Sequence, residues 1–176
     1  MIIKKTFISG LKIIKSKKYH DTRGYFREIF KNRLLKTKFI FACLSRSKKN
    51  VFRGFHIQTK NPQAKFLSVI KGEILDIVID LRKKSKTFGK IFKIKLSEKN
   101  STSIFIPRGF AHGFLGLKEE NLVYYICDKY RNKKSETGII WNDKNIRIKW
   151  PTKKIILSKK DKNNISIKRY KEIYLK

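Results

Sequence analysis

Two short segments carry histidines in settings that could do proton chemistry: Arg53-Gly54-Phe55-His56-Ile57-Gln58 and Pro107-Arg108-Gly109-Phe110-Ala111-His112-Gly113-Phe114. Histidine changes charge near neutral pH, so it serves as general base, general acid or metal ligand. A tight divalent-metal site usually takes roughly three or four protein ligands, more than these two segments supply. The cysteines, Cys43 and Cys127, form no CxxC or zinc-type spacing and read as buried free thiols of a reducing compartment. A histidine alone is more often structural than catalytic. What matters is whether the fold brings the two together.

The elements that would position them are strands. Residues 66–80 (FLSVIKGEILDIVID) read as a β-hairpin: an apolar run, then Lys71-Gly72, then strict alternation. The period of two places Leu75, Ile77 and Ile79 on one face, and Glu73 (or Ile74), Asp76, Val78 and Asp80 on the other. The carboxylates on that second face are either solvated or inside a polar barrel cavity. Further strands are expected at 90–96, 102–107, 121–127 and 146–150. Turn signals such as Ser-Glu-Lys-Asn at 97–100 recur about every eight to twelve positions, the rhythm of an all-β sandwich or barrel. A short helix is expected near 28–36, and the lysine-rich tail from about 157 closes as a small helix or frays. No internal repeat or Pro/Gly-rich linker divides the chain, so residues 1–176 read as one domain.

With 40% hydrophobic and 12% aromatic residues, the chain belongs with folded globules, not disordered polycations. Its formal charge of +32 would suit a nucleic-acid or membrane-surface binder. However, lysine far exceeds arginine, isoleucine and asparagine abound, and the lysines are scattered, with only 153–176 richer. That is a composition bias spread over a solvated surface, and it argues against specific nucleic-acid recognition. A diffuse positive field would still draw in a small dianion. The N-terminal MIIKKTFISGLKIIK is broken by lysines before any apolar run reaches signal length, and nothing approaches the roughly 18 apolar residues of a membrane span. The expected location is cytoplasmic.

The PxGxxH pattern at Pro107–His112 resembles the second motif of the cupin family, a jelly-roll β-barrel. In metal-binding cupins the first motif supplies His-x-His and a following Glu. Here Gln58 takes the second histidine's place, and Pro62 and Gln63 stand where the Glu would fall. The resemblance therefore implies a barrel without a metal, with His56 and His112 converging on its cavity. The ordered set RGFH (53–56), AKFLSVIKGEILDIVIDLR (64–82), TFG (87–89), IPRGFAHGFLGL (106–117), ETGIIWND (136–143) and WP (150–151) narrows it. With DTRGYFRE at 21–28 and LSKKD at 157–161, it resembles the dTDP-4-dehydrorhamnose 3,5-epimerase family from about residue 20 to 161.

That resemblance implies a cofactor-independent isomerase acting on a dTDP-4-keto-6-deoxyhexose of the dTDP-rhamnose pathway. It removes a proton beside the C4 ketone and returns one to the opposite face, at C3, C5 or both. Such chemistry needs a base near neutral pKa, stabilisation of the enolate oxygen and an acid across the ring. By residue-by-residue match, His56 is the base, Asp161 its carboxylate partner, Lys65 the cation facing the enolate and Tyr125 the proton donor. Asp76 would be the buried partner that keeps Lys65 charged. Arg23, Arg53, His112, Tyr130 and Glu136 match substrate contacts, with Arg23 and Arg53 on the diphosphate and sugar and Tyr130 near the base. Phe26 and Glu28 match residues contributed by a neighbouring subunit, implying a homodimer with exchanged N-terminal strands. Trp141 and Trp150 read as core.

Three positions depart from the family pattern. Aligning on Ser45 and Ser47 puts Phe41 and Cys43 where a substrate-contacting glutamine and asparagine belong, and Arg131 stands where relatives carry a second tyrosine or a proline-led turn. The proton-transfer set is untouched. Two other classes stay open at this point: a sugar-nucleotide-binding cupin without turnover or with an altered substrate, suggested by Phe41 and Cys43, and a polyanion binder, suggested by the charge.

Overall fold

The structure, a computed structural model, describes residues 1–175; Lys176, the last residue of the expected domain, lies outside the described residues. Alternating apolar side chains build antiparallel strands that stack face to face as two sheets. The first sheet runs in the order β1 (Ile2–Lys5), β2 (Lys12–Lys15), β10 (Thr102–Ile106), β7 (Lys65–Lys71), β12 (Glu120–Cys127) and β5 (Phe41–Lys48). The second runs β13 (Glu136–Gly138), β6 (Phe52–Gln58), β11 (Phe110–Gly116), β8 (Glu73–Asp80) and β9 (Ile91–Ser97). A hairpin of β3 (Lys18–Asp21) and β4 (Gly24–Arg27) stands apart from both. Two short helices close the chain, α1 (Lys159–Lys162) and α2 (Ile167–Tyr174), each started by a serine cap. Strands that pass from one sheet to the other make this a jelly-roll barrel of the cupin type, as the sequence led us to expect. No helix among the described residues is long and apolar enough to cross a membrane.

Three apolar layers hold the barrel. Between the sheets, Leu67, Val69 and Val123 of the first meet Ile74, Val78, Phe110 and Phe114 of the second. Outside the second sheet, Phe55, Ile77, Ile79 and Leu115 are covered by the C-terminal segment, including Trp141, Trp150, Leu157 and Tyr170. Outside the first, Phe66, Phe105 and Ile126 are covered by residues 29–39, among them Phe30, Leu35 and Phe39. Each fully buried side chain of this size contributes about 1.5–3 kcal/mol of transfer free energy. The middle layer fills only part of the barrel; toward the ends of β7, β12 and β6 it gives way to a cavity.

Three expectations about elements need correction. Residues 66–80 do form two strands with the predicted face assignment, but they are not a hairpin. Gly72, at φ +82°, turns the chain out of the first sheet and into the second, so β7 and β8 face each other across the barrel. A Cβ there would lie 2.2 Å from the Glu120 carbonyl oxygen, which is why glycine occupies this corner. The helix near 28–36 is a single 3₁₀ turn, Asn32–Leu34, with no side-chain cap, because its apolar residues lie flat against the first sheet. Residues 146–150 form no strand. The Asp143 carbonyl accepts the Ile146 and Arg147 amides, and Arg147 takes φ +50°, which breaks extension despite the alternating pattern.

Candidate functional site

His56 lies on β6 directly across from His112 on β11, so the two histidines are neighbours on one inner face, and both line the cavity of about 710 Å³. A bulge between His112 and Phe114 accommodates Gly54, which sits at φ +140° against Gly113. The His56 Nε2 lies 2.6 Å from Asp161 Oδ1. Asp161 comes from α1, where the Ser158 hydroxyl accepts its backbone N–H at 3.1 Å, so the cap that starts the helix also aims the carboxylate. Burial alone would raise the Asp161 pKa. The bond to His56, together with Ser158 and the Gly54 backbone, outweighs it and holds the carboxyl below its ordinary range. A carboxylate at Nε2 fixes the tautomer with its proton there and leaves Nδ1 as the basic nitrogen, without a protein partner among the described residues.

The opposite wall comes from the first sheet. Tyr125 on β12 pairs across from Cys43 on β5, and Lys65 opens β7 across from Cys127. Both face the cavity. Burial, with lesser help from Cys43 and Cys127, pushes the Tyr125 phenol up to about 12, so it stands protonated, as a donor must. Burial pushes the Lys65 ammonium down, partly offset by Cys127, Glu136, Asp76 and Cys43. Both cysteines are unpaired thiols, Cys127 buried and Cys43 half-buried.

The expected ion pair between Asp76 and Lys65 is not present. Asp76 is fully buried and its Oδ2 lies 2.7 Å from His112 Nε2. The reason is the corner at Gly72: it puts Asp76 on the second sheet, diagonal to His112, while Lys65 belongs to the first. Asp76 therefore orients His112 and acts on Lys65 only at longer range. The cavity wall thus carries two histidines each backed by a carboxylate, His56 by Asp161, which also lines the cavity, and His112 by Asp76, buried behind it.

The remaining predicted residues divide into two groups. Arg53 lines the cavity, with Nε donating to Ser47 Oγ at 2.9 Å and Nη2 to the Arg46 carbonyl at 3.0 Å. Glu136 lines it too, but its two oxygens are taken by Arg131 Nε at 2.7 Å and Lys160 Nζ at 2.5 Å. These cations outweigh burial and bring its pKa down to about 2. Glu136 thus organises two cations instead of presenting a free carboxylate. Tyr130 does not line the cavity; it is 68% exposed, with its ring 5.8 Å from that of Phe41, which does. Arg23, Phe26 and Glu28 are outside the cavity: Arg23 is tied to Asp21 at 2.7 Å, Glu28 to Lys31 at 2.7 Å, and Phe26 is 66% exposed. The sequence reading missed Lys160 and the part Arg131 plays with it; the signal for Lys160 was its place beside Asp161 at the helix start. Trp141 and Trp150 pack in the outer core, as expected. Among the described residues no three His, Cys, Asp or Glu side chains gather as a metal-ligand set.

The family model for dTDP-4-dehydrorhamnose 3,5-epimerase matches residues 5–169. The chain is 42% identical over 167 residues to the dTDP-4-dehydrorhamnose 3,5-epimerase of Methanothermobacter thermautotrophicus, covering 90% of each. It is 38% identical over 170 residues to the enzyme of that name from Shigella flexneri, covering 93% of this chain and 94% of that one. Among solved structures, it resembles the dTDP-6-deoxy-D-glucose-3,5-epimerase of Legionella pneumophila in complex with dTDP-4-keto-L-rhamnose. There the TM-score is 0.90 at 38% identity, over 94% of this chain and 92% of that one.

Proposed function

The chain belongs to the dTDP-4-dehydrorhamnose 3,5-epimerase family, and from that premise we propose how its residues epimerise a dTDP-4-keto-6-deoxyhexose beside the C4 ketone. His56, held as the Nε2–H tautomer by Asp161, takes the proton from C3 or C5 through Nδ1. The imidazolium that forms is stabilised by the same buried carboxylate at 2.6 Å. The electron pair left on carbon moves into the carbonyl, and Lys65 faces the resulting enolate oxygen, where a fixed cation is worth several kcal/mol in a site sheltered from water. Tyr125 returns a proton from the other side. Overall one proton leaves and one arrives, so the substrate's oxidation state is unchanged, and the imidazolium of His56 and the phenolate of Tyr125 return to their starting states by proton exchange with water.

The observation that carries this reading is the origin of the two proton-transfer residues. His56 comes from the second sheet and Tyr125 from the first, so a ring lying between the sheets has the base on one face and the acid on the other. Inversion requires that arrangement; retention would need one residue on one face. Arg53 and Lys160 supply positive charge for the diphosphate. The reading includes a homodimer with exchanged N-terminal strands, supported by the β3–β4 hairpin, which pairs with neither sheet, is tied to the barrel through Arg27 and leaves Phe26 exposed. It also includes a cytoplasmic location, in keeping with two unpaired cysteines.

The direct test incubates the protein with dTDP-4-keto-6-deoxyglucose in deuterated water and locates label by NMR. We expect label at C3, C5 or both. We expect Tyr125→Phe to keep exchange but lose most inverted product, because the proton can still leave to His56. An unlabelled substrate overturns the catalytic reading, and equal inversion by Tyr125→Phe removes the acid assignment.

A further inference from the structure

In the epimerase reading, on which the inference rests, Lys65 must meet the enolate oxygen. Its side chain makes no hydrogen bond or ion pair among the described residues, since the carboxylate expected beside it, Asp76, belongs to His112. A lysine stem is flexible, with about 2 kcal/mol of rotamer entropy to lose, so the backbone it leaves from decides where the ammonium sits. Lys65 is the first residue of β7, and strand ends are where a ladder opens most readily. A slip of one residue there would turn the ammonium out of the cavity.

That end is held from both sides. Lys65 lies between Ile106 of β10 and Cys127 of β12. One residue past Cys127, the buried Asp128 grips the residue before Lys65 twice. Its Oδ1 accepts the Ala64 amide at 2.7 Å, and its own amide donates to the Ala64 carbonyl at 3.2 Å. Its Oδ2 is held by Arg108, two residues past Ile106, with Nε at 2.8 Å and Nη2 at 2.7 Å. The Arg108–Asp128 pair therefore joins the two strands that flank β7 and closes over its head. Gln63 adds a further tie, donating Nε2 to the Lys129 carbonyl at 2.7 Å. A bond from an amide to an ionised carboxylate is roughly twice as strong as a neutral one. Because Arg108 matches the charge of Asp128, the hold of Asp128 on Lys65 is mechanical. We propose that Asp128, braced by Arg108, is a positioning residue for Lys65: it pins the head of β7 so that the ammonium stays turned into the cavity.

Two readouts on the full chain test this, and one of them needs no turnover. The first is labelling of Lys65 by acetic anhydride across pH, resolved by peptide mass spectrometry. Burial pushes the Lys65 ammonium down, so a Lys65 released to water should label with its midpoint moved up toward the ordinary lysine value. The groups around it, Cys127 and Tyr125 on β12, Cys43 on β5, Glu136 on β13 and Asp76 on β8, are left in place. The second is deuterium wash-in on dTDP-4-keto-6-deoxyglucose. We expect Asp128→Ala to raise the midpoint and to lower kcat for exchange by about 10- to 100-fold with KM within about twofold, the loss that a displaced catalytic group produces. Asp128→Asn keeps an oxygen for the Ala64 amide and should recover most of both, with exchange within about threefold of wild type. Arg108→Ala, at a half-exposed side chain, should move both readouts the same way by less, and it carries the test if Asp128→Ala does not fold. An unmoved midpoint in the folded variant, or Asn as damaging as Ala, overturns the proposal. Wild-type protein that exchanges no label sinks the epimerase reading, while the Lys65 midpoint still decides what Asp128 does.

Discussion

Replacing Asp161 by Asn tests the catalytic pair at the point where its geometry is most constrained. The carboxylate is 4% exposed, accepts from His56 Nε2 at 2.6 Å, and is also favoured in its charged form by the Gly54 backbone. An amide of the same size has one acceptor and one donor end. With its oxygen toward His56, its NH₂ meets the Gly54 amide donor to donor. With its NH₂ toward His56, it makes Nε2 the acceptor and puts the ring proton on Nδ1, which can then no longer act as base. Either orientation also removes the negative charge that stabilises the imidazolium. A charge-assisted bond of this kind is worth about 1.5–3 kcal/mol, and loss of the correct tautomer adds to it. We therefore expect solvent exchange to slow by about 10²- to 10⁴-fold. The assay is deuterium wash-in at C3 and C5 under single-turnover conditions, with the thermal midpoint as a control for folding. A folded Asp161→Asn protein exchanging within about threefold of wild type would refute the idea that Asp161 sets the base.

Two further outcomes follow from the packing and the charges. Glu136 falls from its ordinary 4.5 to about 2 on folding, so it stabilises the protein above about pH 5 and loses that contribution as pH falls toward 2. Full linkage would make this roughly 3 kcal/mol, reduced to about 1–2 because Arg131 and Lys160 are half exposed and screened. Urea titrations should therefore show Glu136→Gln less stable by that amount at pH 7 and nearly equal to wild type near pH 2; a gap that does not narrow would count against the triad. In Gly54→Ala, the new Cβ would stand 2.5 Å from Gly113 Cα and 2.8 Å from the His112 oxygen, at a backbone φ of +140°. We expect a loss of about 3 kcal/mol or more in urea unfolding, and a loss below about 1 kcal/mol would mean the β6–β11 bulge is not as tight as drawn.

How far the sequence reached is clearest at 66–80. Alternation placed Ile74, Asp76 and Val78 on one face correctly, because side-chain period is a local property of extended chain. It could not say which sheet that face belonged to. A Lys-Gly pair reads equally as a hairpin turn or as a corner between layers, and only the crowding of Gly72 against Glu120 and Asn121 decides it. The error carried directly into the site: with β7 and β8 drawn as neighbours, Asp76 looked like the partner of Lys65, whereas the corner gives it to His112. Residues 146–150 failed for the opposite reason. Their alternation is genuine, but Asp143 captures the backbone amides that a strand would need.

The same distinction accounts for what was legible in the site. His56 was legible from its own motif, and Lys65 and Tyr125, at inward positions of β7 and β12, through the family resemblance. Asp161 was legible in the same way, since nothing local says that a helix 105 residues later will dock on β6. The network of Glu136, Arg131 and Lys160 joins three segments through side chains alone and left no periodic trace. The departures lie on or beside this second kind of ground. Phe41 and Cys43 alter the wall of β5, and Arg131 fills a loop position beyond β12, while His56 and Tyr125, on opposite sheets, keep their places on the cavity wall. A barrel of this kind can change what it holds at its mouth without disturbing what it does between its sheets, because the mouth is assembled from strand ends and loops. The residues proposed for proton transfer are fixed by the registers β6–β11 and β7–β12, and a shift of either would turn its side chain out of the cavity.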